Sequence, residues 1–314
     1  MAATGFISRT ITRIRTFAAE PETNAKYTDA ILLDMIEISW AEVMAELNRA
    51  SSTSLCVRHD ISAASATTGP TNTYLLPPTI HAILRLAKVN TTTGVVEWEE
   101  IPRSRWSPAG PGFLIEGNTV RFEPHWQRGT HTLRLTYIPS GDMRLHYGTV
   151  DGTVGASAIT NDTSANTCTV VLAATPTTGS LDTRPNAYAG SILRILGDGG
   201  TNAAHDYCQE RVITAYDVVT RTATMSPALT TVPVGDAIPY EVAPLLGNAF
   251  DAVIAMDVAA QVVGIEGDGA RSMSIERQFA RKMRTLKLNA ANQEAIVGQR
   301  FQHDTTQGMN FASW

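Results

Sequence analysis

At 314 residues the chain is long enough for two domains, or for one core with a large insertion. Hydrophobic residues at 43% suffice for a packed interior, while charged residues at 18% fall below the usual quarter and leave the surface to Thr, Ala, Gly and Ser, a β-rich profile. A net charge of −5 and 7% aromatics argue against tight single-copy binding of nucleic acid, which needs a basic excess, and against aromatic platforms for single strands or sugars.

The first residues set Arg9, Arg13 and Arg15 among Ile7, Ile11 and Ile14 without a continuous apolar run. No secretory signal is expected there, and the stretch reads as an N-terminal extension. From 27 to 48, Leu32, Met35 or Ile36, Ser39 or Trp40, Val43 and Leu47 recur at helical spacing. Asp34, Glu37, Glu42 and Glu46 fall between them, mostly on the wet side, which predicts an amphipathic helix closed by Ser51, Ser52 and Thr53.

From 54 to 147 the period becomes two. Leu55, Val57 and His59 alternate with polar neighbours, and 80–89 is a β-branched alternating run behind Pro77 and Pro78. Turn residues at 90–94 lead to Val95, Val96 and Trp98. Phe113 and Ile115 precede Gly117-Asn118, a pair suited to a type II′ hairpin, and Val120 and Phe122 follow. Leu133, Leu135 and Tyr137 complete a predicted antiparallel sheet.

Residues 148–240 differ in composition. Arg184, Arg194, Arg211 and Arg221 stand against eight acids, a net of −4 that is nearly all of the chain's −5. Short strands are readable at 169–172, 191–196, 211–216, 222–225 and 238–242, separated by Gly, Asn, Asp and Pro, as in a small barrel or sandwich.

Pro244 is tolerated in a first helical turn, and Leu245, Ala249, Ala252, Met256, Ala259 and Val263 form one stripe after it. Gly264, Gly267 and Gly269 break that helix. A second carries Ile275, Phe279, Met283, Leu286 and Ala290 on one face and Arg277, Arg281 and Arg284 on another, with Gly298 placed to stop it. The polar tail at 300–314 holds Phe301, Phe311 and Trp314, spaced aromatics of the kind that anchor a flexible segment in pockets of a partner.

The predicted organisation is an N-terminal extension and core helix (1–52), an antiparallel β region of the core (53–147), an inserted β module (148–240), two core helices (241–299) and a docking tail (300–314). This is an α+β chain: a helical bundle core with an antiparallel β-sheet and an inserted small β-barrel or sandwich.

Chemistry is sparse. Gly197-Asp198-Gly199-Gly200 follows a strand and leads into another, so it lacks the helix N-terminus that a phosphate cradle needs. G-x-S-x-G and H-E-x-x-H are absent. His205, Asp206, Cys208 and Glu210 form the densest set of potential ligands, yet on a strand His205 faces away from the others, and no metal is expected. Glu123, His125 and His131 are discounted in the same way. Glu97 and Glu99 share a strand face without a histidine or nucleophile and read as solvated. Cys56, Cys168 and Cys208 are odd in number and far apart, which fits reduced thiols in a cytoplasm. No run of about eighteen apolar residues predicts a membrane span. Catalytic residues and cofactors are expected to be none. Arg277, Arg281 and Arg284 suit either DNA phosphates or an inter-subunit surface.

One pattern stands out in the module: Tyr188-Ala189-Gly190 before the strand 191–195, then Gly197-Asp198-Gly199, Arg211-Val212-Ile213-Thr214-Ala215-Tyr216-Asp217, the strand 220–225, and Pro233 to Tyr240. It resembles a β module common in phage structural proteins, with a longer Gly-rich turn at 202–206. Together with the early helix, the Pro-bordered strands from Leu75-Leu76-Pro77-Pro78 to Trp98 and the late helix pair, the plan resembles the head-to-tail adaptor (connector, head-completion) proteins of tailed bacteriophages.

That resemblance implies a non-enzymatic virion protein of the neck, assembled in the bacterial cytoplasm as a homo-oligomeric ring, typically a 12-mer, between the portal protein and the tail or nozzle proteins. Double-stranded DNA would pass through its channel with weak, non-specific contact only, and the last segment would dock on the portal. The alternative is another phage tail, baseplate or fibre-associated protein with the same module, which would be richer in β-structure. A glycan hydrolase would need two facing carboxylates, and no persuasive pair is present.

Overall fold

The computed structural model describes residues 5–20, 26–50, 57–62, 73–90, 96–98, 113–116, 119–122, 131–150, 158–197, 209–233, 238–244 and 247–308. Within them the chain is mixed α+β, and its strands pair antiparallel. Among the described residues no helix is long and apolar enough to cross a membrane.

The expected N-terminal extension is instead a packed helix, α1 (Phe6–Ala18). Ile7, Ile11 and Ile14 lie one turn apart and are buried with Phe6, Thr10 and Ala18. Three threonines and the β-branched isoleucines make this a weak helix on propensity, so packing has to supply its stability. It ends at Ala19 in the left-handed conformation, with the Glu20 N–H donating to the Arg15 carbonyl at 2.9 Å.

The early helix of the sequence is α2 (Asp29–Ala50), and Leu32, Ile36, Trp40, Val43 and Leu47 are buried as their spacing requires. Near the end of the chain, α3 (Gly247–Ile265) turns through 266–268 into α4 (Gly269–Gly308). Helix α3 packs against α1, α2 and α4. Its face is therefore not one stripe: Val253, Ile254, Val258, Ala259, Val262 and Val263 are buried around most of the helix, as expected for an apolar helix at the centre of a layer. Trp40 and Phe250 meet at 6.1 Å between centroids, and Asp251 takes Arg9 at 2.6 Å and also Arg13.

The region read as one antiparallel sheet forms two. β1 (Val57–Ser62), β7 (His131–Pro139), β3 (Ile80–Asn90) and β4 (Val96–Trp98) pair in that order. β2 (Thr73–Leu75), β6 (Thr119–Phe122) and β5 (Phe113–Glu116) make the other. Glu116 pairs with Thr119, the register of a two-residue hairpin.

The third sheet has eight strands: β11 (Thr178–Gly179), β8 (His146–Thr149), β15 (Pro239–Ala243), β12 (Ile192–Ile195), β13 (Gln209–Asp217), β14 (Thr222–Ser226), β10 (Thr167–Val171) and β9 (Ile159–Asp162). Its end strands β11 and β9 do not pair, so closure into a barrel is not found among the described residues. β8 straddles the expected boundary at 147–148 and joins this sheet.

The motif residues Tyr188, Ile213, Tyr216 and Tyr240 are buried, Ile213, Tyr216 and Tyr240 on strands of this sheet and Tyr188 in the turn before β12. One contiguous core links them to the helices, and the Tyr137 hydroxyl donates to the Ala189 carbonyl at 3.2 Å across two sheets.

The contact of β11 with α2 requires a glycine. Gly179 has φ +86°, and a Cβ there would lie 2.3 Å from the Leu145 carbonyl oxygen and 2.8 Å from Leu33 Cδ2. Gly179→Ala is expected to cost about 2 kcal/mol, read as a lower urea midpoint. An unchanged midpoint would mean that β11 can withdraw from the helix freely.

Candidate interaction surfaces

Helix α4 begins at a built corner. The Asp268 carboxylate accepts the Arg271 N–H at 3.1 Å, its carbonyl accepts the Ser272 N–H at 3.0 Å, and the Ser272 hydroxyl donates to the Ala260 carbonyl at 2.9 Å. Ile275 and Met283 are buried against α3, with Phe279 and Leu286 beside them. The Arg271 guanidinium donates to the Phe17 carbonyl at 2.8 Å, and Lys287 pairs with Glu46 of α2.

The short turn makes α3 and α4 antiparallel neighbours. At the helical rise α3 is about 28 Å long and α4 about 60 Å, so no more than half of α4 can lie along α3. The expected stop at Gly298 is therefore corrected. A lone glycine costs about 1 kcal/mol against alanine, and the good helix formers Gln293, Glu294, Ala295, Gln299 and Arg300 around it carry the helix through to Gly308. Phe301 thus sits on α4 rather than in an irregular tail; its side chain, and residues Phe311 and Trp314, lie outside the described residues.

Arg277, Arg281 and Arg284 are brought together. All three are exposed on the side of α4 opposite its buried stripe, and none forms an ion pair among the described residues. Met273 and Leu288, 54% and 56% exposed, bracket them on the same face.

The ligand candidates do not assemble. His205, Asp206, Cys208, Glu99, Glu123 and His125 lie outside the described residues, as do the side chains of Glu97 and His131. Glu210 is half-exposed and accepts from Arg194 Nε at 2.7 Å. No group of three or more metal-ligating side chains is found among the described residues. A half-open groove of about 380 Å³ runs between α1, β8 and β11, lined by Ile7, Ile11, Tyr147, Leu196 and Pro239. Its charged residues, Arg15 and Asp29, bond to each other at 2.6 Å.

Two buried polar features escaped the sequence. Arg194 on β12 faces Glu241 on β15, and its Nη1 donates to Glu241 Oε1 at 2.7 Å with both side chains almost fully buried. Burial opposes the Arg194 charge, but its bonds to Glu210 and Glu241 outweigh that and hold its pKa up. The same Glu241 carboxylate accepts the Phe6 and Ile7 N–H groups at 2.6 and 3.1 Å and so caps α1. A Cβ on Gly5 would fall 2.2 Å from Glu241 Oε2, so only glycine lets the chain enter α1 this closely. The signal was one lone charge in each of two apolar strands, 191–196 and 238–242.

The second feature is His146, which stands between Tyr188 and Tyr240 with centroids at 5.2 and 5.6 Å. Neither ring nitrogen has a hydrogen-bond partner among the described residues, and burial pushes the pKa down to about 3.

No known protein family, curated protein or solved structure matches this chain. What it does has to be read from its own surfaces. Both buried polar features are sealed from solvent and join the large sheet to α1 or to itself. Among the described residues, the arginine face of α4 is an exposed charged surface, and the helix that carries it continues to Gly308.

Proposed function

We propose that the chain is a subunit of a phage head-to-tail adaptor, a ring that joins the portal to the tail around the DNA channel and carries out no catalysis. The single observation that carries this is the length of α4. The helix runs 20 residues past Leu288, about 30 Å, to Gly308. A helix of that length suits a segment that carries Phe301, with Phe311 and Trp314 following it in sequence, to a partner.

In this proposal the four helices are the bundle core, and residues 148–240 are the inserted module, curled toward a small barrel or sandwich. The packing of α3 against helices from both ends of the sequence supports the first half. The net charge of −4 in the module suits a neck through which DNA slides without being held.

Deleting residues 300–314 tests it. The truncated chain is expected to keep its cooperative unfolding and to lose co-purification with the portal. Retained portal binding would overturn portal docking through this segment. Particles whose neck lacks the chain by immunogold imaging would overturn the adaptor itself.

A further inference from the structure

Six large apolar side chains are exposed among the described residues, and four of them fall on two helix faces. Ile31 and Ile38 are 46% and 58% exposed on the outer face of α2; Met273 and Leu288 lie on the outer face of α4. Charges of opposite sign sit between them. Asp34 and Glu42 are exposed on the α2 face, and neither makes an ion pair among the described residues; the α4 face has Arg277, Arg281 and Arg284. An isolated exposed leucine needs no explanation. Two faces of one length on a single chain, each with two exposed large apolar side chains and with opposite charge between them, do.

We infer that the outer face of α4 on one copy packs antiparallel on the outer face of α2 on the next copy. The spacing favours this direction over the parallel one. Counted from Ile31, the α2 face recurs at 0, 3, 7, 11 and 14 residues, ending at Ala45. Counted backwards from Leu288, the α4 face recurs at 0, 4, 7, 11 and 15, ending at Met273.

Antiparallel alignment therefore sets Ile31 on Leu288, Asp34 on Arg284, Ile38 on the stem of Arg281, Glu42 on Arg277 and Ala45 on Met273. Both acids meet arginines and both apolar ends meet apolar side chains. A parallel alignment from Met273 also sets both acids on arginines, Asp34 on Arg277 and Glu42 on Arg284, but it runs 0, 4, 8, 11 and 15, one residue out of step at Ile38 as well, and it replaces the Ile31–Leu288 contact by Ile31 on Met273. DNA is the weaker occupant of the α4 face, since phosphates give Met273 and Leu288 nothing to cover.

The two faces differ, so the contact is heterologous and propagates head to tail, closing into a ring when the rotation allows. It deepens the adaptor proposal, on which it rests for ring closure alone; the pairing of the faces stands on exposure and spacing.

Charge reversal tests it. One variant carries R277E, R281E and R284E; a second carries D34K and E42K; a third carries all five. Sedimentation velocity from micromolar to about millimolar reads self-association. Wild type is expected to associate, more weakly at high salt. The first two variants alone should associate at least about tenfold more weakly, because like charges then face each other. Mixing those two should restore association, as each then offers a complement to the other, and the fivefold variant should associate by itself. Circular dichroism confirms that each variant folds.

A wild type that stays monomeric throughout overturns the inference, as does a mixture no better than its parts. Loss of duplex-DNA retention with self-association untouched would assign the arginines to phosphates and overturn it too. Portal binding separates the proposals: variants that no longer associate yet still bind the portal remove this contact and leave the adaptor standing. Chains that associate through these faces and ignore the portal do the reverse.

Discussion

Glu241→Ala is expected to cost about 3–5 kcal/mol of stability, the range for breaking one partner out of a buried ion pair. Three groups lose their acceptor together. The Arg194 guanidinium stays buried with only the half-exposed Glu210 on its Nε. The Phe6 and Ile7 N–H groups at the start of α1 are left without a partner. Because α1 is a weak helix on propensity, losing its cap should also loosen its N-terminal turn.

Urea unfolding of the full chain, followed by circular dichroism, reads the loss as a lower midpoint. The double variant Arg194→Met with Glu241→Leu should lose less than Glu241→Ala alone, because no buried charge is then stranded. Gly5→Ala should move the midpoint in the same direction, since its Cβ has to displace the carboxylate. A Glu241→Ala midpoint equivalent to less than about 1 kcal/mol of change would show that the carboxylate is not the link between α1 and the large sheet.

Helix α2 was legible because its stripe from Leu32 to Leu47 is set by local period alone. Helix α1 was not, although Ile7, Ile11 and Ile14 carry the same period. Its stability comes from Glu241 and Asp251, more than 230 residues away, and a short window shows only threonines and arginines. For α3 the helix was legible but not its burial, which depends on three neighbours arriving from elsewhere in the chain. Strands β8, β9 and β11 are two to four residues long, too short for alternation to rise above composition. Of the candidate surfaces, the arginine face of α4 followed from spacing. The exposed face of α2 did not, because Ile31 and Ile38 interrupt the polar side of a helix whose opposite side is far more apolar.

Acid should destabilise the fold through His146, and the sign follows from its burial. In the unfolded chain the imidazole takes a proton near pH 6.5. In the folded chain, enclosed by Tyr188 and Tyr240, it stays neutral down to about 3. Between those values the unfolded state binds one more proton, so stability is full above about pH 6.5 and falls as the pH drops toward 3. The loss from this residue is about 3 kcal/mol at pH 4.

His146→Phe keeps a ring in the aromatic enclosure and removes two nitrogens that have no partner among the described residues, so it should gain about 1–2 kcal/mol at pH 7. Carboxylates held by arginines, such as Asp182, also lose their bonds in acid, so wild type and variant will both weaken. Their difference isolates the histidine: midpoints measured from pH 7 to pH 4 should diverge by about 3 kcal/mol in the variant's favour. Parallel curves would assign the whole acid loss to the carboxylates and show that the folded chain protonates His146 as readily as the unfolded one.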